Sequence, residues 1–381
     1  MGQCDPIEAS CNFEVPVKQG HEFTPDWFSM PGDSLRALML RRGLAAKDVA
    51  DHLHGGMATL RSLLDGTGSV DERQAAALAE HLGGTVSFWL KRQKNYEVAL
   101  ERAVDLAVAS EGDDWLLLPV PGERPRGRLS AEKRRAEVQR RLKFFNVGTL
   151  KAWQARYGRI CSDTLFRKSA AFTSDDAAIL MWLRMGELSA DLVDTRSWSA
   201  GNLQDRLDEI RKLSKVKHPN LFLPKLRELC SEAGVAVVAK RAPLGCPASG
   251  ASRMIGPDKA MILLSFRGLS DDKFWFTVFH EIGHLLLHGA CAFVDADMDD
   301  GDEVEREANQ FASRCIVPNN NVDEFEQLEP AREKVVRFSV RVGVAPGLTV
   351  GQMQHRGMIR QDQLNYLKRR WKWEQVDHLL D

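Results

Sequence analysis

Long apolar runs are missing from this chain: no stretch of about 18 apolar residues occurs. That excludes a helical membrane span. Cysteine is sparse, with seven in 381 residues, widely spaced and odd in number. Such a set is not a disulfide framework, and it fits a reducing compartment. Neither sign of charge dominates: 52 Lys and Arg stand against 53 Asp and Glu, for a net charge of −1. No global field therefore selects a nucleic acid or a membrane as partner. The first apolar residues are scattered among charges, so no signal peptide is expected and the expected location is cytoplasmic. The length allows two or three domains with their own cores.

What is present is concentrated chemistry. The stretch FTVFHEIGHLLLHG, Phe276 to Gly289, carries three histidines and a glutamate on an apolar segment. Residues four apart share a helix face, about 6 Å apart along the axis, so His280 and His284 can converge on one ion. Glu281 lies about 100° round the helix, placed to reach a water bound there. That is the logic of H-E-x-x-H: two zinc ligands and a general base. Phe274, Trp275, Phe276, Val278, Phe279, Ile282, Leu285, Leu286 and Leu287 make the helix apolar nearly all round, hence buried. A buried His, Glu, His set without a partner carries a large desolvation cost. His288 sits about 12 Å along the axis from His280, too far to share an ion, and reads as a second-shell or helix-end residue.

The third ligand has to come from elsewhere. Downstream lies EVEREANQFASRCIVP, Glu303 to Pro318, in which Val304, Ala308, Phe311, Ala312 and Cys315 recur at helical spacing. Glu305 and Glu307 flank that face on opposite sides, and periodicity does not choose between them. Either completes a His, His, Glu set with one position open to water, the mark of a catalytic rather than a structural zinc site. HEIGHLLLH followed by EREANQFASRCIVP resembles the ImmA/IrrE family of bacterial metallopeptidases, from about Pro219 to about Ser339 and more weakly to Trp373. The resemblance implies Glu307 as the third ligand, a zincin-like fold, Zn2+ as cofactor and, as in several relatives, cleavage of a repressor that controls phage or stress genes.

Residues 33–97 read as five short helices. Gly43 to Leu53 and Ala58 to Gly66 are separated by the turn HGGM, the layout of a helix-turn-helix. The arrangement is similar to the XRE-type DNA-binding domain over about Pro31 to Glu97, and FWLKRQKNYE resembles its HigA-like antitoxin branch. The resemblance implies DNA contacts from Met57, Thr59, Arg61 and Ser62. Ala46, Gly55 and Gly56 depart from the family's usual polar and capping residues. With 9 Lys/Arg against 8 Asp/Glu in residues 33–97, phosphate attraction is weak. Operator binding competes with a fold kept for protein binding or dimerisation, and a homodimer is compatible with either.

The expected architecture is mainly α with a small β-sheet: an N-terminal helix-turn-helix domain and a C-terminal zincin-like α+β metallopeptidase domain. The boundaries expected are an N-terminal extension at 1–30, the helix-turn-helix domain at 31–97, a linker at 98–130, a helical middle region at 131–218, the metallopeptidase domain at 219–340 and a helical basic tail at 341–381. Residues 124–143 carry nine Lys/Arg against two Asp/Glu, read first as a solvated helix face. VAVVAK and AMILLSF are short strands, with SGASRMI between them as another. Ser249, Gly250, Ala251, Ser252 and Arg253 are the candidate exposed edge strand onto which a substrate would add. Arg253 is either an oxyanion partner or a structural ion pair. The acidic run VDADMDDGDEVERE fails as a calcium loop, because Asp300 and Arg306 stand where Gly and Glu are needed. It reads as a mobile loop or lid for the cleft. Cys246 reads as a small loop residue rather than an inhibitory thiolate. The tail is expected to dock on the peptidase domain.

These readings converge on a zinc-dependent endopeptidase fused to a DNA-binding-type domain, with His280, His284 and Glu307 on zinc and Glu281 as base. Its substrate would be one repressor or regulator protein in a phage, stress or toxin–antitoxin circuit. The alternative is a non-enzymatic DNA-binding regulator or antitoxin whose zinc senses or merely supports structure.

Overall fold

A computed structural model describes residues 28–122, 127–158, 174–289, 293–295 and 303–381. The N-terminal unit is α1 (Pro31–Arg42), α2 (Ala46–His52), α3 (Gly56–Asp65), α4 (Glu72–Leu82) and the start of α5 (Val86–Ser110). Leu35, Val49, Leu60, Leu64, Leu78, Leu82 and Trp89 form its core. Gly66 closes α3 in the left-handed region, φ 75°, a conformation that glycine adopts without steric cost.

α5 overruns the boundary expected at 97. Tyr96, Leu100, Ala103, Val104 and Ala107 recur at three- and four-residue steps and are buried. They hold the helix together through Ser110, and α6 (Gly112–Leu117) follows directly. Residues 98–117 are thus core helix, not linker. The basic run continues as α7 (Ala131–Phe145), whose charges are spent within the fold. Arg134 pairs with Asp113 at 2.9 Å, Arg135 with Asp105, and the buried Arg141 with Glu137 at 2.6 Å.

α8 (Leu150–Tyr157) and α9 (Ser174–Ala190) then lead to α10 (Ala200–Leu213) and α11 (Pro219–Ser231). A four-stranded sheet follows: β1 (Val235–Ala239), β2 (Gly250–Gly256), β3 (Lys259–Leu264) and β4 (Phe293–Asp295), in the order β1-β3-β2-β4. β1 runs parallel to β3, while β2 is antiparallel to both β3 and β4. Side chains alternate across a strand, and here both faces are covered. Ala236, Val238, Met261 and Leu263 share a core with Trp115, Phe145, Tyr157 and Trp182. Val235, Val237, Ala260, Ile262 and Leu264 share the other with Phe222, Trp275 and Val278. The helical middle region expected at 131–218 is divided between the two faces of the sheet: α7, α8 and α9 lie in the first core, and Leu203, Leu207 and Ile210 of α10 in the second.

α12 (Asp271–Leu287) carries the histidines, and α13 (Glu303–Ile316) packs along it. Gly283 makes that approach feasible: a Cβ there would stand 3.1 Å from the Phe311 ring. α14 (Val322–Glu326), α15 (Arg332–Val342) and α16 (Pro346–His355) complete the layer. Beyond His355 the tail has only short 3-10 turns, not the expected helix, and it docks on the core through Trp371 and Val376. Among the described residues, no helix is long and apolar enough to cross a membrane.

The start of α12 stores a pH-dependent contribution. Asp271 is 1% exposed, accepts the Arg369 N–H at 3.0 Å and lies against Gly347 of α16. Burial pushes its carboxyl up to about 7, and the neighbouring Asp272 adds to the shift. A carboxyl whose folded pKa exceeds its unfolded 3.8 stabilises the fold below that value and loses this as pH rises through 7. Asp271→Asn mimics the protonated form. The expected result is a variant that matches wild type near pH 4 and exceeds it at pH 8 by on the order of 2–4 kcal/mol. Thermal unfolding across pH 4–8 checks this, and parallel curves for the two proteins would refute it.

Candidate metal centre

The two helices meet at His280 and His284. Both imidazoles are buried, 2% and 0% exposed as residues, so their nitrogens face the protein and not bulk water. His280 Nε2 and His284 Nε2 stand 2.9 Å apart. Glu305, from the first turn of α13, brings Oε2 to 3.2 Å from His280 Nε2 and Oε1 to 3.4 Å from His284 Nε2. These three side chains are the group among the described residues with metal-ligand chemistry.

Protonation suits a cation. Burial works to raise the Glu305 carboxyl, but the adjoining imidazoles of His280 and His284 outweigh this and hold it down at about 2. Burial lowers the pKa of His284. At neutral pH the set is an anionic carboxylate beside a neutral imidazole, the state a metal requires of its ligands. Around a tetrahedral zinc with bonds of about 2.0–2.1 Å, donor atoms stand about 3.3 Å apart. The separations of 2.9, 3.2 and 3.4 Å fit that frame.

A second ring of contacts turns the nitrogens inward. His280 Nδ1 lies 3.0 Å from Asn309 Oδ1, a carbonyl-type oxygen that can only accept, so Nδ1 carries the proton and Nε2 keeps its lone pair. His284 Nδ1 lies 3.2 Å from His288 Nδ1, and His288 Nε2 lies 2.9 Å from Glu307 Oε2. With the Glu307 carboxylate accepting from His288 Nε2, His288 Nδ1 is left to accept from His284 Nδ1. His284 Nε2 then also points a lone pair at the centre.

The resemblance puts Glu307 in the third ligand place, whereas the structure puts Glu305 there. Glu307 sits on His288, and its side chain is 54% exposed against 12% for Glu305. The reason is helical phase. The buried stripe of α13 is Ala308, Ala312, Cys315 and Ile316. At about 100° per residue, Glu305 lies about 35° from the centre of that stripe and Glu307 about 125° away. Counting Ile316 in place of Val304 and Phe311 separates the two. Asn309 was missed by sequence reasoning, though it lies four residues after Glu305, on the same face.

Glu281 is fully buried. β2 crosses directly over it: a Cβ on Gly250 would stand 2.5 Å from Glu281 Oε1 and 2.5 Å from Thr277 Cγ2. Only a glycine lets the strand pass this close.

The expectation of a free edge at Ser249–Arg253 needs correction. β4 already pairs there, with Gly250 opposite Asp295, Ala251 opposite Val294 and Ser252 opposite Phe293. The Ser249 carbonyl accepts from Ser265, and Ala251 and Ser252 are fully buried. Alternation sends Arg253 to the sheet face opposite Glu281, where it pairs with Glu187 at 2.8 Å. It makes the structural ion pair and not an oxyanion contact. Cys246 packs against the core on that same far face and does not join the ligand group. Of the acidic run, 296–302 lies outside the described residues.

On α3, Met57 and Arg61 are exposed while Thr59 and Ser62 are half-buried. The Thr59 hydroxyl donates to the His54 carbonyl and the Ser62 hydroxyl to the Thr59 carbonyl, so both are already engaged. Burial lowers the pKa of Lys240, just past β1, with the Asp381 charge opposing the shift and the Arg61 charge adding to it.

Residues 230–354 match the family model for peptidase family M78, the IrrE N-terminal-like domain. The matched span runs from the end of α11 to α16 and includes both helices of the centre. This supports the ImmA/IrrE family and a metallopeptidase-type function. No curated protein matches the chain.

Proposed function

We propose that the chain is a zinc-dependent endopeptidase in which His280, His284 and Glu305 hold the metal and Glu281 is the general base. The observation that carries this reading is the convergence of two imidazole nitrogens and one carboxylate within 3.4 Å of one another, beside a buried glutamate. A zinc ion at this place supplies Lewis-acid polarisation of a peptide carbonyl and makes water more acidic. Glu281 takes a proton from the attacking water as its oxygen joins the carbonyl carbon. The same carboxyl returns that proton to the amide nitrogen as the C–N bond breaks. Asn309 and the His288–Glu307 pair fix the imidazole tautomers, so the nitrogens need no rearrangement.

The substrate is a particular regulator protein rather than polypeptide in general, in a phage, stress or toxin–antitoxin setting. The exposure of Met57 and Arg61 on α3 keeps operator binding as a second reading. The test incubates the full chain with the proteins encoded beside it and follows products by mass spectrometry. One regulator is expected to be cut at a defined bond, with cleavage lost to a chelator and restored by zinc. A chain that takes up no zinc on reloading would overturn the reading. A shift of its own upstream DNA without any cleavage would favour the regulator.

A further inference from the structure

A cavity of about 250 Å³ opens where the N-terminal unit, α9 and β2 meet, on the sheet face away from the histidines. Four guanidiniums line it: Arg36 from α1, Arg156 from α8, Arg184 from α9 and Arg253 from β2. Three of them share one carboxylate. Glu187 accepts from Arg156 at 3.1 Å, Arg184 at 2.7 Å and Arg253 at 2.8 Å, and from the Tyr157 hydroxyl at 2.9 Å. Burial opposes its ionisation, but the three arginines outweigh this and hold it at about 2. Arg36 lies between Asp33 at 2.7 Å and Asp191 at 2.8 Å. The lining thus carries four positive charges against three negative ones. The side chains of Arg184 and Glu187 are 3% exposed and that of Arg253 is 12% exposed. An uncompensated charge in such a place is costly, and a bound anion removes the cost.

The hydrogen-bond inventory points the same way. Arg36 Nε, Arg253 Nε and Asn146 Oδ1 are buried without a partner among the described residues. Arg156 engages one nitrogen on Glu187 and is about one-third exposed, at the mouth. Two guanidinium donors ask for an oxyanion, and the amide oxygen asks for a hydroxyl. Dihydrogen phosphate, a monoanion abundant near neutral pH, offers both and balances the surplus charge, at a size the cavity takes.

We propose that this junction is a binding site for inorganic phosphate. Its ligand ties α1 of the N-terminal unit to β2, three residues from the glycine that lies on Glu281. The binding claim stands on the arginine cavity alone and does not depend on peptidase activity.

The test is isothermal calorimetry on the full chain in phosphate-free buffer, with inorganic phosphate, sulfate and phenyl phosphate as probes. One site per chain is expected, with phosphate bound at least tenfold more tightly than sulfate, which has no hydroxyl to donate at neutral pH. Arg156→Gln is expected to weaken phosphate at least tenfold in a chain that stays folded, at a melting temperature lowered by the lost Glu187 pair, and Arg156→Lys to recover part of both losses. Phenyl phosphate, a dianion without a hydroxyl at neutral pH, is expected to bind as weakly as sulfate, and either of them matching inorganic phosphate overturns the proposed ligand. No heat with any probe, or the same affinity in Arg156→Gln, overturns the site and leaves the arginines as a structural network.

Discussion

Glu281→Gln is expected to keep one zinc per chain and to lose cleavage by about 10²–10⁴-fold, the range a general base contributes. Glu281 stands outside the three-residue ligand group, so its replacement leaves the metal donors in place. Glutamine has the same shape and fits below Gly250, where Glu281 Oε1 already limits how close β2 can come. What it cannot do is accept a proton from water at neutral pH. Elemental analysis beside a product time course separates the two effects. Loss of zinc together with activity would make Glu281 part of the metal's support instead of the base. Full cleavage with zinc retained would remove it from the chemistry altogether.

The part of this design that was legible in the sequence is the part set by local periodicity. His280 and His284 are four apart on an apolar segment, and they do form one buried ledge of α12. The apolar runs near 235 and 260, and the weaker one between them, are β1, β3 and β2. Elements fixed by packing between distant segments were not legible. The run after Glu97 looks like linker on account of its later prolines and glycines, yet Leu100, Val104 and Ala107 bury against residues dozens of positions away. Residues 249–253 read as a free substrate edge, and a three-residue strand from beyond α12 occupies it. Arg253 was undecided between two faces of a strand whose neighbours were unknown. Once Gly250 is seated on Glu281, alternation sends Arg253 to the far side.

The choice between Glu305 and Glu307 shows how much rests on one turn of helix. Both are glutamates in the first turns of α13, two residues apart; Glu305 touches histidines of α12 and Glu307 touches His288 at its C-terminal cap. Glu305 meets the two nitrogens that face each other, and its carboxyl is held at about 2. Glu307 meets His288, which meets His284 from behind. Glu307→Gln is therefore expected to weaken zinc by the roughly 10–100-fold typical of a lost outer partner. Glu305→Gln is expected to go well beyond that range, because a neutral amide replaces the one anionic donor of the set. Competition against a chelator of known affinity reads both variants on one scale. If Glu307→Gln proved the more damaging, the helix would have to turn by about 160° to present it. That turn would pull Asn309 off His280 and take Ala308 and Ala312 out of the core, and the fold should then lose stability as well as metal. A large loss of zinc at Glu307 with an unchanged melting temperature is thus the result that this helix phase does not permit.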